Sequence, residues 1–360
     1  MDFAHFSLMG YREKGYSTQR IFAEHAEQVK HAEQADFGAA WFAEHHFSNY
    51  CTCPSPLMMA AHCAGFTSKI RLGPAVVVTP LYEPARLLAE IGMVDAMSNG
   101  RLNVGVGSGY QPYEFDRFHV ELEHSKEMME EFLDMLHLAF TQDLFTYDGK
   151  HYQMPETHIA ARPVKPFSTI MVAGDNDYAH RLCARRGLIP LFTGRWKGVD
   201  YVKERRDVIA GVFAEEGKDP DKMPVAFQRF LHITDSRAEA LEYAEHCRHQ
   251  MRLASALRRR AENISGGMMN EIPFPGESTL EEMVDALPIG SVETVAERLC
   301  AEIRAANPCQ IMFHIQVGGS TQAQALNTIE KFATAVRPLI EKELGPLDAI
   351  GVMPEQLAAE

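Results

Sequence analysis

Residues 70–107 have the sequence IRLGPAVVVTPLYEPARLLAEIGMVDAMSNGRLNVGVG, and this stretch decides the fold. Its first ten residues form an apolar run rich in valine, which predicts a buried strand. Residues 84–98 place Leu87, Leu88, Ile91, Val94 and Met97 on one side of a helix. Asn99-Gly100 predicts the end of that helix before a second strand over residues 101–107. A strand, a helix and a strand in this order predict one unit of a parallel sheet.

The same alternation continues along all 360 residues. Eight runs of strand length are predicted, at residues 3–9, 39–43, 70–79, 101–107, 169–173, 188–193, 224–233 and 310–317. The runs are mostly continuous rather than alternating, which is typical of strands that are buried on both faces. Eight strands alternating with helices predict the α/β class and a (β/α)8 TIM barrel.

A barrel of this kind usually needs about 250 residues, so part of the chain must be inserted. The longer insertion is predicted between the seventh and eighth strands, at residues 234–306. A smaller one after the fourth strand reads FTYDGKHY at residues 145–152, which predicts a hairpin with an Asp-Gly turn. We therefore expect a single domain over residues 1–345, with residues 248–288 as a mobile lid and residues 346–360 as a C-terminal tail.

Composition excludes several classes of protein. The formal net charge is -14, with 46% hydrophobic and 23% charged residues, which argues against disorder, a nucleic-acid surface and an anionic membrane partner. Residues 1–5 lack a basic segment followed by an apolar one, and no apolar run approaches about 18 residues, so cytoplasmic residence is expected. The seven cysteines are odd in number and mostly well separated, so we expect free thiols rather than disulfides or a thiolate metal site.

Reactive groups of a (β/α) barrel lie at the carboxyl ends of its strands. The second predicted strand ends in Glu44-His45-His46, where an imidazole could pass a proton near neutral pH or bind a metal. A purely structural alternative is a hydrogen-bonded pair of histidines that fixes the loop. A metal site is disfavoured because the first strand offers only His5 and no paired histidine.

Two further strand ends favour ligand binding. Gly105, Gly107 and Gly109 remove side chains from one face of the fourth strand, so a flat ligand or another backbone could lie against it. The fifth strand leads through residues 174–177 into a helix whose free N–H groups could bind phosphate. The acidic side chains of that turn could instead serve only as helix caps.

Two bulky or charged features after the sixth and seventh strands have more than one interpretation. Trp196 could stack on a flat ligand or pack at the barrel rim. Residues 258–260 are three consecutive arginines, which could clamp a phosphate but are more typical of a solvated helix face.

Several of these stretches together resemble the bacterial luciferase-like flavin-dependent monooxygenases. The resemblance rests on Glu44-His45-His46-Phe47, RLGPAVVVTP at residues 71–80, PAR at 84–86, SNGRL at 98–102 before the glycines of the fourth strand, and PIGSVETV at 288–295. It implies a (β/α) barrel that receives reduced FMN from a separate reductase. The flavin would react with O2 to form a C4a-peroxide, which would insert one oxygen atom into a small, largely apolar organic substrate.

The resemblance also implies roles for individual residues. His45 would be the catalytic histidine, and Ala75-Val76 would form a non-proline cis peptide under the flavin ring. Gly107 and Ser108 would lie beside the flavin, with Gly107 at a position where luciferase has a reactive cysteine.

The remaining implied roles concern the phosphate, the substrate and the assembly. Ala173, Gly174, Asp175 and Asn176 would form the phosphate-binding turn, although the hydroxyl residues usual in this family are replaced by acidic ones. Phe6 and Trp196 would line the substrate pocket. A homodimer or higher homo-oligomer is expected, with the predicted helices at residues 56–67 and 84–98 as candidate interfaces.

Three alternatives remain open at this point. The cofactor could be a deazaflavin, which one branch of the family uses. The protein could bind a flavin without turnover, since a fold alone does not guarantee an activity. An unrelated metal-dependent barrel hydrolase could use Glu44, His45 and His46.

Overall fold

The computed structural model describes residues 1–165, 167 and 170–352. Eight parallel strands form the barrel, and they run Asp2–Ser7 (β1), Ala39–Phe42 (β2), Arg71–Pro74 with Val77–Val78 (β3), Val104–Gly107 (β4), Ile170–Ala173 (β5), Ile189–Thr193 (β6), Ala226–Phe230 (β7) and Gln310–His314 (β8). All eight coincide with predicted runs. Thr169, the predicted first residue of the fifth strand, lies outside the described residues.

The barrel closes through the two segments of β3. The first segment pairs with β2 and the second pairs with β4. Between them, neighbouring strands follow one another around the barrel in the order β2, β1, β8, β7, β6, β5, β4. A bridge between Leu72 and Leu102 adds to the closure. The Ala75–Val76 peptide bond between the two segments is cis, as the resemblance implies. The predicted α/β fold, a (β/α)8 TIM barrel, is confirmed.

Twelve helices surround the strands in the described part of the chain. They are Thr18–Gln34 (α1), Pro56–Ala64 (α2), Pro84–Met97 (α3), Pro112–Phe118 (α4), Ser125–Thr141 (α5), Asp177–Arg186 (α6), Val199–Glu215 (α7), Arg237–Arg258 (α8), Leu280–Ala286 (α9), Val292–Ala306 (α10), Gln322–Lys331 (α11) and Arg337–Leu344 (α12). None of the helices in these described residues is long and apolar enough to cross a membrane.

Both predicted insertions are present between the strands. A hairpin of Phe145–Asp148 and Gln153–Thr157 follows β4 and turns at Asp148-Gly149. The longer insertion, between β7 and β8, contains α8, a short hairpin of Ile264–Ser265 with Met268–Met269, then α9 and α10.

Alternate residues of the strands divide the core into an inner and an outer layer. Ala4, Trp41, Met171 and Met312 pack against one another and fill the barrel interior. Phe3, one residue before Ala4, packs instead on the ring of Phe332 outside the barrel. This two-residue period fixes which side chains at the strand ends point into the barrel mouth.

The termini and the cysteines complete the fold. The amino group of Met1 donates hydrogen bonds to the carbonyl oxygens of Leu347 and Ile350, so the described end of the chain packs on its beginning. All seven cysteines are free and buried, as predicted.

Candidate functional site

One side of the barrel mouth is formed by residues with little or no side chain. Ala75 and Ala173 pack on the interior cluster together with Phe6, and Gly107 pairs with Ala173 across β4 and β5. Val76 lies against Gly107, since a Cβ atom added at Gly107 would come within 2.6 Å of its Cγ2 atom. We name Ala75, Val76, Gly107 and Ala173 the β3–β5 wall. Four predicted cofactor residues are therefore neighbours in space.

The glycines of β4 have a clear packing role. A Cβ atom at Gly105 would lie 2.2 Å from the carbonyl oxygen of Pro74, so the backbone of β3 occupies the space that a side chain would need. For Gly105 the structure therefore shows the close approach of another backbone, whereas the space beside Gly107 is occupied by the side chain of Val76. Ser108, half-buried, follows directly beyond the strand.

His45 lies at the mouth and is held by a buried carboxylate. Its Nδ1 atom is 3.0 Å from Oε1 of Glu114, whose side chain is 1% exposed and lies on α4. The same oxygen accepts a hydrogen bond of 2.7 Å from the backbone N–H of His46. The side chain of His45 is 12% exposed. A carboxylate that holds one ring nitrogen fixes the ring orientation, so the other nitrogen of His45 is free to exchange a proton.

Glu44 and His46 form a separate, structural pair. Oε1 of Glu44 lies 2.9 Å from Nε2 of His46. Its Oε2 accepts hydrogen bonds from the backbone of Val78 and the hydroxyl of Tyr82, each 3.0 Å long. Burial raises the pKa of Glu44, and the hydrogen bond from His46 opposes this effect. The structural interpretation of the histidine pair therefore applies to His46, whereas His45 has a different partner.

This division weakens the metal-hydrolase alternative. The imidazoles of His45 and His46 bind different carboxylates, so the side chains of Glu44, His45 and His46 do not converge on one point. The groups of potential metal ligands within the described residues are His124 with Glu127 and His151, and Glu121 and Glu123 with His124, and they lie elsewhere.

Aromatic side chains surround His45. The ring of Tyr50 is 4.8 Å from that of His45 in an edge-on arrangement, and the ring of Tyr110 is 5.7 Å away. The two tyrosine hydroxyls are 3.4 Å apart. The guanidinium of Arg258 lies 4.5 Å from the ring centre of Tyr110. Arg258 therefore contacts Tyr110 from an exposed position, and all three arginines of residues 258–260 are exposed, as the favoured interpretation of a solvated face predicts.

The acidic turn between β5 and α6 has its charges paired. Asp175 lies 3.4 Å from Nη1 of Arg205 and 3.3 Å from the hydroxyl of Tyr201. Asp177 points away toward Arg181 at 2.8 Å. Asn176 is the helix cap and accepts a hydrogen bond from the backbone of Ala179. A phosphate bound to the N–H groups of this turn would therefore meet less repulsion from the two carboxylates than the sequence alone suggests.

His180, in the first turn of α6, is buried next to this turn. Neither of its ring nitrogens has a hydrogen-bond partner among the described residues. Its Nε2 atom is 3.9 Å from Oδ1 of Asp175, which is too long for a hydrogen bond. Burial lowers the pKa of His180. An unpaired buried imidazole beside a helix N-terminus is available to bind a ligand.

The opposite side of the mouth is polar. By alternation from Leu191, Ala226 and Met312, the inward positions at the ends of β6, β7 and β8 are Thr193, Gln228 and His314. The hydroxyl of Thr193 lies 3.0 Å from Oε1 of Gln228. Nε2 of Gln228 is buried and has no partner in the described part of the chain. Burial lowers the pKa of His314 to about 3.

Phe6 connects the two sides, and Trp196 lies farther out. The ring of Phe6 is 5.4 Å from that of His314, which in turn lies 5.3 Å from Phe230. Trp196 belongs to a second cluster that includes Phe230, and its ring is 5.2 Å from Phe274 of the long insertion. The structure therefore brings Phe6 to the β3–β5 wall but places Trp196 at the rim.

The long insertion contacts loops on several sides of the mouth. Asn49, which follows β2, accepts a hydrogen bond of 2.8 Å from the backbone of Met269. Asp116, on α4, pairs with Arg260 at 2.8 Å. Within the insertion, Arg252 binds the carboxylate of Glu277. The insertion thus covers the end of the barrel at which His45 lies.

Sequence reasoning missed Glu114, Tyr110 and Arg205. Glu114 is a buried acid in the short helix α4, and its pairing with His45 spans 69 positions. Tyr110 directly follows the glycines of β4, so its position at a strand end was a usable signal. Arg205 is one of many charged residues on α7, and nothing in the pattern distinguishes it.

Sequence comparison finds related proteins over nearly the whole chain. The protein y4vJ of Sinorhizobium fredii, described as uncharacterized, is 40% identical over 351 residues, which cover 97% of this chain and 100% of y4vJ. The oxygenase component of the flavin-dependent trigonelline monooxygenase of Acinetobacter baylyi is 25% identical over 347 residues, which cover 92% of this chain and 94% of that protein.

Solved structures share the fold at lower identity. The oxygenating constituent of 3,6-diketocamphane monooxygenase from Pseudomonas putida, a type II Baeyer-Villiger enzyme in complex with FMN, has a TM-score of 0.75 at 20% identity. The match covers 94% of this chain and 98% of that one. An F420-dependent secondary alcohol dehydrogenase has a TM-score of 0.73 at 14% identity, with 94% and 98% covered.

A sequence model of one family accounts for most of the chain. The model described as luciferase-like monooxygenase matches residues 1–307. This range contains β1 to β7, His45, the β3–β5 wall and the turn at residues 174–176. The chain therefore belongs to the luciferase-like monooxygenase family.

Proposed function

We propose that this protein is a two-component monooxygenase that takes reduced FMN from a separate flavin reductase and transfers one oxygen atom of O2 to a small organic substrate. The observation that carries the proposal is His45, partly exposed at the barrel mouth and fixed by the buried carboxylate of Glu114. The trigonelline monooxygenase relative is itself named as an oxygenase component, which supports a partner reductase.

The residues present fit a flavin at this mouth. Within the β3–β5 wall, Ala75 and Ala173 present only methyl groups, which leave room for a flat ring. The turn at Gly174, Asp175 and Asn176 would hold the phosphate with its N–H groups, assisted by Arg205 and by the unpaired imidazole of His180. Reduced FMN, when bound there, would supply the electrons that activate O2.

Three parts of this chain would support the reaction. His45 would exchange a proton at the ring nitrogen that Glu114 does not hold. Residues 248–288 would act as the lid that excludes water from the mouth, since this segment contacts the loops after β2 and β6. Phe6 would form an apolar wall for the substrate, and Trp196 would close its outer edge.

The substrate would carry a hydrogen-bond acceptor. Nε2 of Gln228 is a buried donor without a partner in the described residues, and a buried amide left unpaired costs about 1–3 kcal/mol. A substrate oxygen facing Gln228 would satisfy it. Such a substrate has an apolar part near Phe6 and a polar end near Gln228 and Thr193, so it is less uniformly apolar than the sequence suggested.

Anaerobic titration with reduced FMN and with reduced riboflavin tests the cofactor site. Arg205→Met should weaken binding of reduced FMN but not of reduced riboflavin, because only FMN carries the phosphate. Arg185→Met removes an exposed arginine that pairs with Glu216 and serves as the matched control. Equal losses for both flavins, or no binding of reduced FMN by the parent protein, would contradict the proposal.

The role of His45 is tested by mixing the reduced-flavin complex rapidly with O2. The delay before oxidised flavin reappears should shorten in His45→Ala, because the ring that exchanges protons is lost. His46→Ala makes an informative comparison, since it breaks the structural pair with Glu44 instead. A delay that is unchanged in His45→Ala would remove the histidine from the mechanism.

A deazaflavin is the second candidate cofactor. The carboxylate of Asp175 beside the phosphate turn is the observation behind it, because a phosphate monoester such as that of FMN would place up to two negative charges next to this carboxylate, whereas a phosphodiester would place only one. The structural likeness to an F420-dependent enzyme concerns the fold alone. Titration with reduced F420, run beside reduced FMN, separates the two candidates by affinity.

Assembly as a cytoplasmic homodimer completes the proposal. Large apolar side chains are exposed on α2 and α3 and just after α2, namely Met58, Phe66, Met93 and Met97. Apolar side chains clustered in this way are typical of an interface. Met93→Glu should reduce the mass measured by light scattering to that of one chain, and Val208→Glu, at an exposed apolar residue of α7, should not.

A further inference from the structure

A cluster of histidines and carboxylates lies outside the barrel mouth, where the hairpin after β4 meets the start of α5. His124 precedes α5, Glu127 lies in its first turn, and His151 comes from the hairpin turn. One ligand atom from each residue lies within 4.8 Å of the others. Nε2 of His151 is 2.8 Å from Oε2 of Glu127, and the two imidazole ring centres are 5.2 Å apart.

The positions of these groups are fixed by neighbouring contacts. The carboxylate of Glu131 accepts backbone hydrogen bonds from Lys150, His151 and Tyr152, each between 2.8 and 3.1 Å. These bonds hold the hairpin turn on α5 independently of the cluster. His124 and Glu127 are three positions apart in a helical segment, which places them on one face. The three side chains therefore approach one another on a scaffold that is already ordered.

The imidazole and carboxylate groups of this cluster are ligand types that suit a divalent metal ion such as Zn²⁺. Two imidazoles and one carboxylate are common zinc ligands at about 2.0–2.2 Å, so ligand atoms around a tetrahedral ion lie about 3.4 Å apart. The ligand atoms now lie within 4.8 Å of one another, so each pair would have to approach by at most about 1.4 Å. Glu121 and Glu123 lie 3.4 and 3.7 Å from Nε2 of His124 and could supply a fourth ligand.

We propose that His124, Glu127 and His151 bind one divalent transition-metal ion of the zinc type, which fastens the hairpin of residues 145–157 to α5. The sequence predicts no metal site, because paired metal ligands are expected at the strand ends and none is present there. This cluster instead joins residues 124 and 151 through the tertiary fold. Lys150 competes for the site, since its Nζ atom lies 2.7 Å from Oε2 of Glu127.

Calorimetric titration of the untagged full-length protein with Zn²⁺ tests this site. We expect one ion per chain, with affinity lowered about tenfold or more in His124→Ala and in His151→Ala. His137→Ala changes an exposed histidine of the same helix and should bind as the parent does. Lys150→Met should bind more tightly, because the competing ammonium is gone. Circular dichroism of each variant confirms that it is folded.

Titration with Co²⁺ gives an independent readout. A tetrahedral site with imidazole ligands should produce visible absorption bands that His151→Ala abolishes. Absence of Zn²⁺ binding, or equal affinity in the parent and in both histidine variants, would overturn the proposal. Neither titration involves a flavin, so the result is independent of the proposed oxygenase function.

Discussion

Replacement of Gly107 by alanine tests the geometry of the β3–β5 wall. The added Cβ atom would lie 2.6 Å from Cγ2 of Val76, whereas ordinary contacts begin at 3.4 Å, so one of the two groups must move by about 0.8 Å. Val76 lies between the two paired segments of β3, which limits its freedom to move. Overpacking of this kind costs about 1–3 kcal/mol of unfolding free energy. A cysteine at this position should cost at least as much, because its side chain is larger.

A double-mutant cycle isolates this contact. Val76→Ala removes the Cγ2 atom and by itself should destabilise the protein modestly, by about 0.5–1.5 kcal/mol. In the double variant the Cβ atom added at position 107 no longer meets the Cγ2 atom at position 76, because Val76→Ala has removed it. The double variant should therefore be more stable than the sum of the single effects predicts, by about 1–3 kcal/mol.

Equilibrium unfolding in urea, with flavin absent, measures all four proteins. Gly105→Ala is the matched control in the same strand, because its Cβ atom would meet the backbone oxygen of Pro74 at 2.2 Å and Val76→Ala cannot relieve that clash. Gly211→Ala, in α7, meets no atom within 4 Å and should raise stability by about 0.5–1 kcal/mol. If Gly107→Ala were as stable as the parent, or if Val76→Ala failed to compensate it, the packing account of the wall would be refuted.

Two further predictions concern buried ionisable groups. Arg229 and Glu302 form a fully buried pair at 2.6 Å, so Arg229→Met should lower the free energy of unfolding by about 3–5 kcal/mol, and the double change with Glu302→Leu should recover most of the loss in urea unfolding. Burial lowers the pKa values of His5, His25 and His314 to about 3 each. Their folded pKa values lie below the unfolded value of about 6.5, so the unfolded state binds protons first, and the stability present above pH 6.5 is lost as the pH falls toward 3. The free energy of unfolding should therefore fall by up to about 4 kcal/mol for each pH unit in this range. Urea unfolding at several pH values measures it, and a constant free energy of unfolding between about pH 7 and about pH 5 would contradict the prediction.

Local pattern predicted the strands and the helices near residues 56–67 and 84–98 well. Each predicted strand overlaps an observed one because continuous apolar runs are long enough to identify buried parallel strands without knowledge of their neighbours. Boundaries were less accurate, and the run at residues 70–79 is interrupted after Pro74. This interruption was not predicted, since the apolar run predicts one strand despite Gly73-Pro74 just before the break.

The site was predicted in part. The strand end points to Glu44, His45 and His46 together, and the family resemblance selects His45; Ala75, Val76, Gly107 and Ala173, which the resemblance also implies, lie together. The carboxylate that holds His45 was not found, because Glu114 lies far away in sequence and resembles any other acid of a short helix. The acidic turn appeared unfavourable for phosphate until the structure placed Arg205 beside Asp175.

The sequence by itself determined the barrel, the two insertions and the strand ends at which reactive groups lie. These features depend on periodicity and on turn residues, which act over a few neighbouring positions. Only the tertiary structure decided that His46 is structural while His45 remains available, and that His124 and His151 meet. Those outcomes depend on contacts between residues that are distant along the chain, and no local pattern encodes which distant side chains the closed barrel brings within hydrogen-bond distance.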